Sequence, residues 1–209
     1  MGIIIMGETG SGKTTTGKIL ANKIDFGLYE IGHEVKKVYL ERIQIDNQEN
    51  DLKNEKGYTT TNQRLKFTDD IVKKYGNDYY VNRILERQGT ENIIIVGARS
   101  MAEIIAIKNK IKFPFFVLLT CSEDEIIRRF IKRESQFMTS EEAMKIFGER
   151  KAREEKWGVE DLTSQANMTI STENKEPTVI ANTILSEYIE FLRKQQENNK
   201  NIKHEEFER

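Results

Sequence analysis

Hydrophobic positions along the chain change period several times, and each change marks a new element. Ile3 to Met6 is an unbroken apolar run, as expected of a short strand buried on both faces. Gly17, Leu20, Ala21, Ile24 and Leu28 then recur at helical spacing, which predicts a helix from Lys13 to about Leu28. Val35 to Leu40 reads as a weaker strand with two lysines inside it. The polar stretch from Gln44 to Thr61, rich in Asn, Glu and Lys, reads as a mobile loop. Leu65, Thr68, Ile71, Val72 and Tyr75 predict a helix that Gly76-Asn77 breaks, and a second helix follows to Arg87, ended by Gly89. Ile93 to Val96 is the clearest central strand.

Ser100-Met101-Ala102-Glu103 has the spacing of a capping box and opens another helix. Phe115 to Leu119 is a strand. Ser122-Glu123-Asp124-Glu125 is a second box, opening a helix with Ile126, Ile127, Phe130 and Ile131. Thr139 to Trp157 predicts a charged helix, and Met168 to Ile170 a short strand. Pro177 stands at a first helical position, ahead of the stripe Ile180, Ile184, Leu185, Tyr188 and Leu192. From Arg193 onward the polar composition reads as a frayed tail. Alternation of this kind implies an α/β fold, a mostly parallel sheet flanked by helices on both faces.

Composition narrows the function classes. The 209 residues carry 33 basic and 34 acidic side chains, a net charge of -1, which argues against a DNA-coating protein. No apolar run approaches the ~18 residues of a membrane span. The start Met1-Gly2-Ile3 has no basic region of a signal peptide. One cysteine, Cys121, and two distant histidines, His33 and His204, argue against disulfide scaffolds and multi-histidine metal sites. A cytoplasmic protein is expected.

Gly7-Glu8-Thr9-Gly10-Ser11-Gly12-Lys13-Thr14 matches G-x-x-x-x-G-K-[ST] in full. Glycines let backbone N–H groups turn toward phosphate oxygens, and a helix starting at Lys13 aims its positive dipole end at the same anion. Lys13 is expected to reach the β- and γ-phosphates of ATP, the Thr14 hydroxyl to bind Mg²⁺, and Thr15 to join the nucleotide site. Asn22-Lys23-Ile24-Asp25 has the letters of a guanine-reading motif, but inside the first helix it cannot reach a base. Arg128, Arg129, Lys132 and Arg133 form a basic cluster, and Arg150, Lys151, Arg153 and Lys156 extend it. Between Arg128 and Lys156 nine basic side chains face six acidic ones. Arginines of this kind suit the charge spread over a transferring phosphoryl group.

Taken in order, these parts resemble the dephospho-CoA kinase and deoxynucleoside monophosphate kinase group of P-loop kinases, and are especially similar to an uncharacterised archaeal nucleotide-kinase-like family. The resemblance covers roughly residues 1 to 192. It rests on the phosphate loop, Lys74-Tyr75-Gly76, Ile94-Ile95-Val96-Gly97-Ala98-Arg99-Ser100 with Glu103, the Arg128 to Arg133 cluster, Arg150 to Gly158, and Gln165 to Ile170. It implies a three-layer P-loop NTPase fold with a five-stranded sheet and a helical lid at about 125–158. Acceptor-side helices would span about 41–90, and a polar tail 193–209.

The implied activity is phosphoryl transfer from ATP-Mg²⁺ to a small nucleotide acceptor, with Arg64, Arg99 and Arg150 on the acceptor. Lys13, Arg99, Arg128 and Arg133 would act on the moving group. Arg99 can also be read as a structural partner of Glu103.

Two departures stand out. Val96 and Asn167 occupy positions where the family carries Asp, so the catalytic carboxylate must come from elsewhere, with Glu41 the first candidate and Asp46 the second. That departure also motivates the alternative of a weakly catalytic ATP-binding regulatory module. A polynucleotide or dephospho-CoA kinase is a third reading. Oligomeric state, a dimer included, is left open by the sequence.

Overall fold

The structure, a computed structural model, describes residues 1–49, 61–134, 139–156 and 159–207. Within these, the strands are β1 (Gly2–Gly7), β2 (Gly27–Glu30), β3 (Ile93–Ala98), β4 (Pro114–Thr120) and β5 (Met168–Ser171). The helices are α1 (Lys13–Ile24), α2 (Ile31–Glu49), α3 (Thr61–Tyr75), α4 (Tyr79–Gln88), α5 (Met101–Lys110), α6 (Glu123–Glu134), α7 (Ser140–Lys156) and α8 (Pro177–Phe207). All strand pairs are parallel, in the order β2-β3-β1-β4-β5.

The sheet separates two apolar layers by the period of two that every strand obeys. Ile3 and Ile5 of β1 point to one side with Ile94, Val96, Phe115 and Val117, against Leu20 of α1 and Ile180 and Ile184 of α8. Ile4 and Met6 point to the other with Ile93, Ile95 and Phe116, against α2, α4 and α5. Each fully buried side chain of this size contributes roughly 1.5–3 kcal/mol of transfer free energy. Because both faces are covered, the inner strands read as continuous apolar runs rather than as alternation. A third, smaller cluster joins Ile126 and Phe130 of α6 to Ala143 and Phe147 of α7.

Several expectations are corrected. The first helix stops at Ile24, where Asp25 takes a left-handed conformation with φ 53°. Leu28 belongs to β2, yet packs on the same layer as Leu20, which is why it mimicked helical periodicity. The segment Val35 to Leu40 is not a strand but the middle of α2. Ile31, Val35 and Val38 stand at i, i+4 and i+7, and all three join the core layer under that helix. Residues 44–49, expected in a loop, continue α2, and the rest of that loop lies outside the described residues. Tyr80, Val81, Ile84 and Leu85 form the buried side of α4 as its periodicity requires.

The Ser100–Glu103 capping box forms as expected. At the second expected box, Ser122 Oγ instead donates to Glu173 Oε1 at 2.6 Å, and the Glu125 carboxylate receives Arg128 and Arg129. A reciprocal cap not anticipated opens α7, where Thr139 Oγ1 accepts from Glu142 N and the Glu142 carboxylate accepts from Thr139 N. The polar segment beyond Arg193 does not fray, since α8 continues to Phe207.

Candidate functional site

The carboxyl ends of the strands converge on one edge of the sheet. After β1 the chain enters α1 on one face, while after β3 it enters α5 on the other, so a crevice opens between those two strand ends. The phosphate loop fills its base. Gly7 has φ 132°, and a Cβ there would lie 2.2 Å from the Leu119 carbonyl oxygen. Only glycine lets β1 leave the sheet at that point.

Lys13 is buried, and its Nζ donates to the carbonyl oxygens of Gly7 at 2.7 Å and Glu8 at 2.5 Å. Those carbonyls hold the ammonium across the loop. Ser11 N donates to Glu8 O at 3.1 Å and closes the turn.

Thr14 Oγ1 donates to Glu30 Oε2 at 2.8 Å. Glu30 ends β2, the strand missing from the sequence reading, and stands two strands away from the loop in the sheet. It is a carboxylate that the structure places beside the loop. Glu41 itself accepts from Arg83 Nη2 at 3.1 Å and takes no part in lining the loop cavity. Its neighbour in that network, Glu34, accepts from Arg83 Nε and from Arg87 Nη1, which ties α2 to α4. Gly27 after the helix stop at Asp25 was the available signal for β2 and hence for Glu30.

A cavity of about 360 Å³ stands over the loop, lined by Thr9, Gly10 and Gly12 to Thr15 together with Arg99, Arg129 and Phe130. A larger one of about 670 Å³ adjoins it along Thr15, Arg129 and the segment 172–177. Arg129 joins the two. Its Nη1 and Nη2 donate to Thr172 Oγ1 and Thr172 O, and its Nε donates to Glu125 Oε1 at 2.7 Å. Arg128, one residue earlier, is bidentate to Glu125, lines the larger cavity and is 67% exposed. Both arginines hold the Glu125 carboxyl well below its ordinary range, at about 2.

On the other side of the loop cavity stands Arg99. It follows a bulge in β3, where Gly97 has φ 96° and the register slips so that Met6 pairs with Ala98. The slip brings Arg99 to the strand end, where it lines the loop cavity and also a pocket of about 70 Å³ under α2, α3 and α4. The Glu103 carboxylate accepts from the backbone N–H groups of Arg99 and Ser100. Burial pushes the Glu103 carboxyl up, against the pull of those donors.

Of the expected site residues, the structure brings together Gly7 to Thr15, Arg99 and, at the neighbouring cavity, Arg128. The side chains of Arg64, Arg133, Arg150 and Asp46, and residue Trp157, lie outside the described residues. Asn167 is structural: its Oδ1 accepts from Phe116 N at 2.8 Å, and its N–H donates to Phe116 O. Val96 is core. His33 is exposed, and Cys121 is half-buried beside the α6–α7 cluster.

A family model described as an AAA domain matches residues 3–157. The chain belongs to this AAA domain family. Among solved structures, TT1252 from Thermus thermophilus aligns at 14% identity over 90% of this chain and 97% of that one, with a TM-score of 0.55. A gluconokinase from Sinorhizobium meliloti 1021 aligns at 18% identity over 93% and 96%, with a TM-score of 0.54. A shikimate kinase from Bacteroides thetaiotaomicron aligns at 18% identity over 91% and 98%, with a TM-score of 0.50. At these identities the shared feature is the fold, that of P-loop kinases. No curated protein matches the sequence. Among the described residues no helix is long and apolar enough to cross a membrane.

Proposed function

We propose that this AAA domain protein is an ATP-dependent phosphotransferase that moves the γ-phosphoryl group of ATP to a small acceptor in the cytoplasm. The observation that carries the reading is Arg99, one side chain lining both the phosphate-loop cavity and the pocket under α2 to α4. A group in that place can hold the γ-phosphoryl and the acceptor together, which converts an encounter into a positioned reaction. The named activities of the gluconokinase and the shikimate kinase above support the same class of chemistry on this fold.

Each side chain then has a task. The loop N–H groups and the dipole of α1 take the β-phosphate, and Lys13 stands ready to exchange its carbonyl partners for phosphate oxygens. Arg129, pinned by Glu125 and Thr172, faces the same cavity from the far side. The Thr14 hydroxyl and the Glu30 carboxylate are adjacent hard oxygen donors of the kind Mg²⁺ takes. Bound there, Mg²⁺ would neutralise charge on the β- and γ-phosphates. Glu30 also directly precedes Ile31 and Gly32, which line the pocket under α2 to α4.

The regulatory alternative rested on a missing carboxylate, and Glu30 beside Thr14 offers one. A nucleoside monophosphate acceptor is the finer expectation from the resemblance. Release of ADP from ATP-Mg²⁺, with and without candidate acceptors, tests the reading: acceptor-dependent ADP supports it, and equal ADP with or without every acceptor refutes it.

A further inference from the structure

The pocket under α2, α3 and α4 holds an acidic side chain that neither the phosphate loop nor the Thr14–Glu30 pair uses. Glu103 lines its wall together with Arg99 and is 6% exposed. Glu30 and Glu41 line neither this pocket nor the loop cavity. The wall from α2 and α3, made of Ile31, Gly32, Val35, Thr68 and Val72, carries no charge, and α4 adds one titratable side chain, Tyr80.

The capping box accounts for only part of this carboxylate. Its Oε2 accepts from Arg99 N at 2.7 Å, from Ser100 N at 2.9 Å and from Ser100 Oγ at 3.1 Å. Oε1 takes no part in the cap. A box of this kind works with glutamine too, whose amide oxygen accepts the same bonds. The cap therefore gives no reason for an ionisable group at a buried position, where charge is costly to keep. Burial pushes this carboxyl above its ordinary 4.5, and the cap donors and the Arg99 charge offset that only in part. A carboxyl raised in this way, in a pocket beside an arginine, has the environment of a general base.

Resting on the phosphotransfer reading above, we propose that Glu103 is the catalytic base of the acceptor side, with Oε1 holding the acceptor's attacking hydroxyl beside Arg99. In the transfer, that hydroxyl oxygen bonds to the γ-phosphorus of ATP as the bond from phosphorus to the β–γ bridging oxygen breaks. ADP leaves with that electron pair, and the hydroxyl proton passes to Glu103 Oε1. The assignment also names the acceptor's class, an alcohol. A phosphate acceptor is largely deprotonated near neutrality, so it brings no proton to remove, and it would meet the Glu103 carboxylate as a like charge. The pocket is half open, so the alcohol can be a nucleoside or a smaller polyol.

The test is ADP formation from ATP-Mg²⁺ by the full chain with unphosphorylated nucleosides and with short polyols, run beside AMP and dTMP. Turnover is expected with one of the two alcohol groups and not with AMP or dTMP. At saturating ATP and acceptor, wild-type kcat should fall as pH drops through a carboxyl value above 4.5. Glu103→Gln keeps an acceptor oxygen for the cap. It should lower kcat about 10²-fold, abolish that acid limb, and leave the KM for ATP and the melting temperature little changed. Ser100→Ala weakens the same cap without touching Oε1, so it should lower the melting temperature and retain the acid limb.

A Glu103→Gln variant that is destabilised like Ser100→Ala and keeps the acid limb would make Glu103 a cap alone and overturn its role. A wild type with no acid limb above 4.5 would do the same without any variant. Lys13-dependent turnover of AMP or dTMP, with none of the alcohols, would overturn the base and the acceptor class and leave the phosphotransfer reading standing. No acceptor-dependent ADP from any of them would overturn both.

Discussion

The two ends of the crevice are built on different principles. The phosphate side comes from consecutive residues, Gly7 to Thr15, whose backbone does most of the work. The side proposed for the acceptor is assembled from Ile31 to Val35, Thr68 to Tyr80, and Gly97 to Glu103, which are distant in sequence. One end is therefore a fixed local shape that accepts few substitutions. The other is a composite wall drawn from several elements.

Changes at the phosphate end should be the most severe. Lys13→Ala is expected to lower acceptor-dependent turnover on the order of 10³-fold, by removing charge that the transferring phosphoryl needs. Steady-state kinetics at saturating ATP checks it, and a loss under tenfold would put the reaction elsewhere. Glu30→Gln sits at the seam between the two ends. It should lower kcat on the order of 10²-fold and raise the Mg²⁺ concentration needed for half-maximal rate, as Thr14 loses its anionic partner. An unchanged Mg²⁺ requirement would confine Glu30 to the acceptor.

Stability should separate the ends in the same way. Gly7→Ala forces a left-handed backbone and a clash with Leu119 O, at a cost of at least ~2 kcal/mol in denaturant unfolding. Arg83→Met, in the ion network that ties α2 to α4, leaves Glu34 without one of its two cations and loosens α4 from α2. It should cost about 1–2 kcal/mol and raise the acceptor KM while leaving ATP affinity as it was. Equal effects on both substrates would contradict the division.

The smallest effect concerns Glu125. Its carboxyl is depressed to about 2 from an ordinary 4.5 by the Arg128 and Arg129 hydrogen bonds. A depressed folded value means the contribution is present above the unfolded pKa and is lost as pH falls from about 4.5 toward 2. The stability difference between wild type and Glu125→Gln should be constant near neutrality and vanish across that window. High salt should shrink it, since Arg128, one of its two partners, is largely exposed.

Legibility in the sequence followed the same division. The phosphate loop was readable because its chemistry needs fixed residues at fixed spacing, and the apolar runs of β1, β3 and β4 because both their faces are buried. β2 was lost because Leu28 packs on the same layer as α1 and so continued its apparent period. With β2 went Glu30, and the search for a carboxylate moved to Glu41, which serves the α2–α4 ion network instead. α2 was misread as a strand because four of the six residues from Val35 to Leu40 are apolar, though Ile31, Val35 and Val38 keep helical spacing.

The central claim is that both ends of the crevice act on one phosphoryl group. A single-turnover reaction with ATP labelled in its γ-phosphate, excess protein, Mg²⁺ and a panel of candidate small acceptors tests it most directly. The account predicts that label leaves ATP and appears on the acceptor in step, and that Lys13→Ala stops both. Label that collects as inorganic phosphate, or stays on ATP whatever the acceptor, would contradict it.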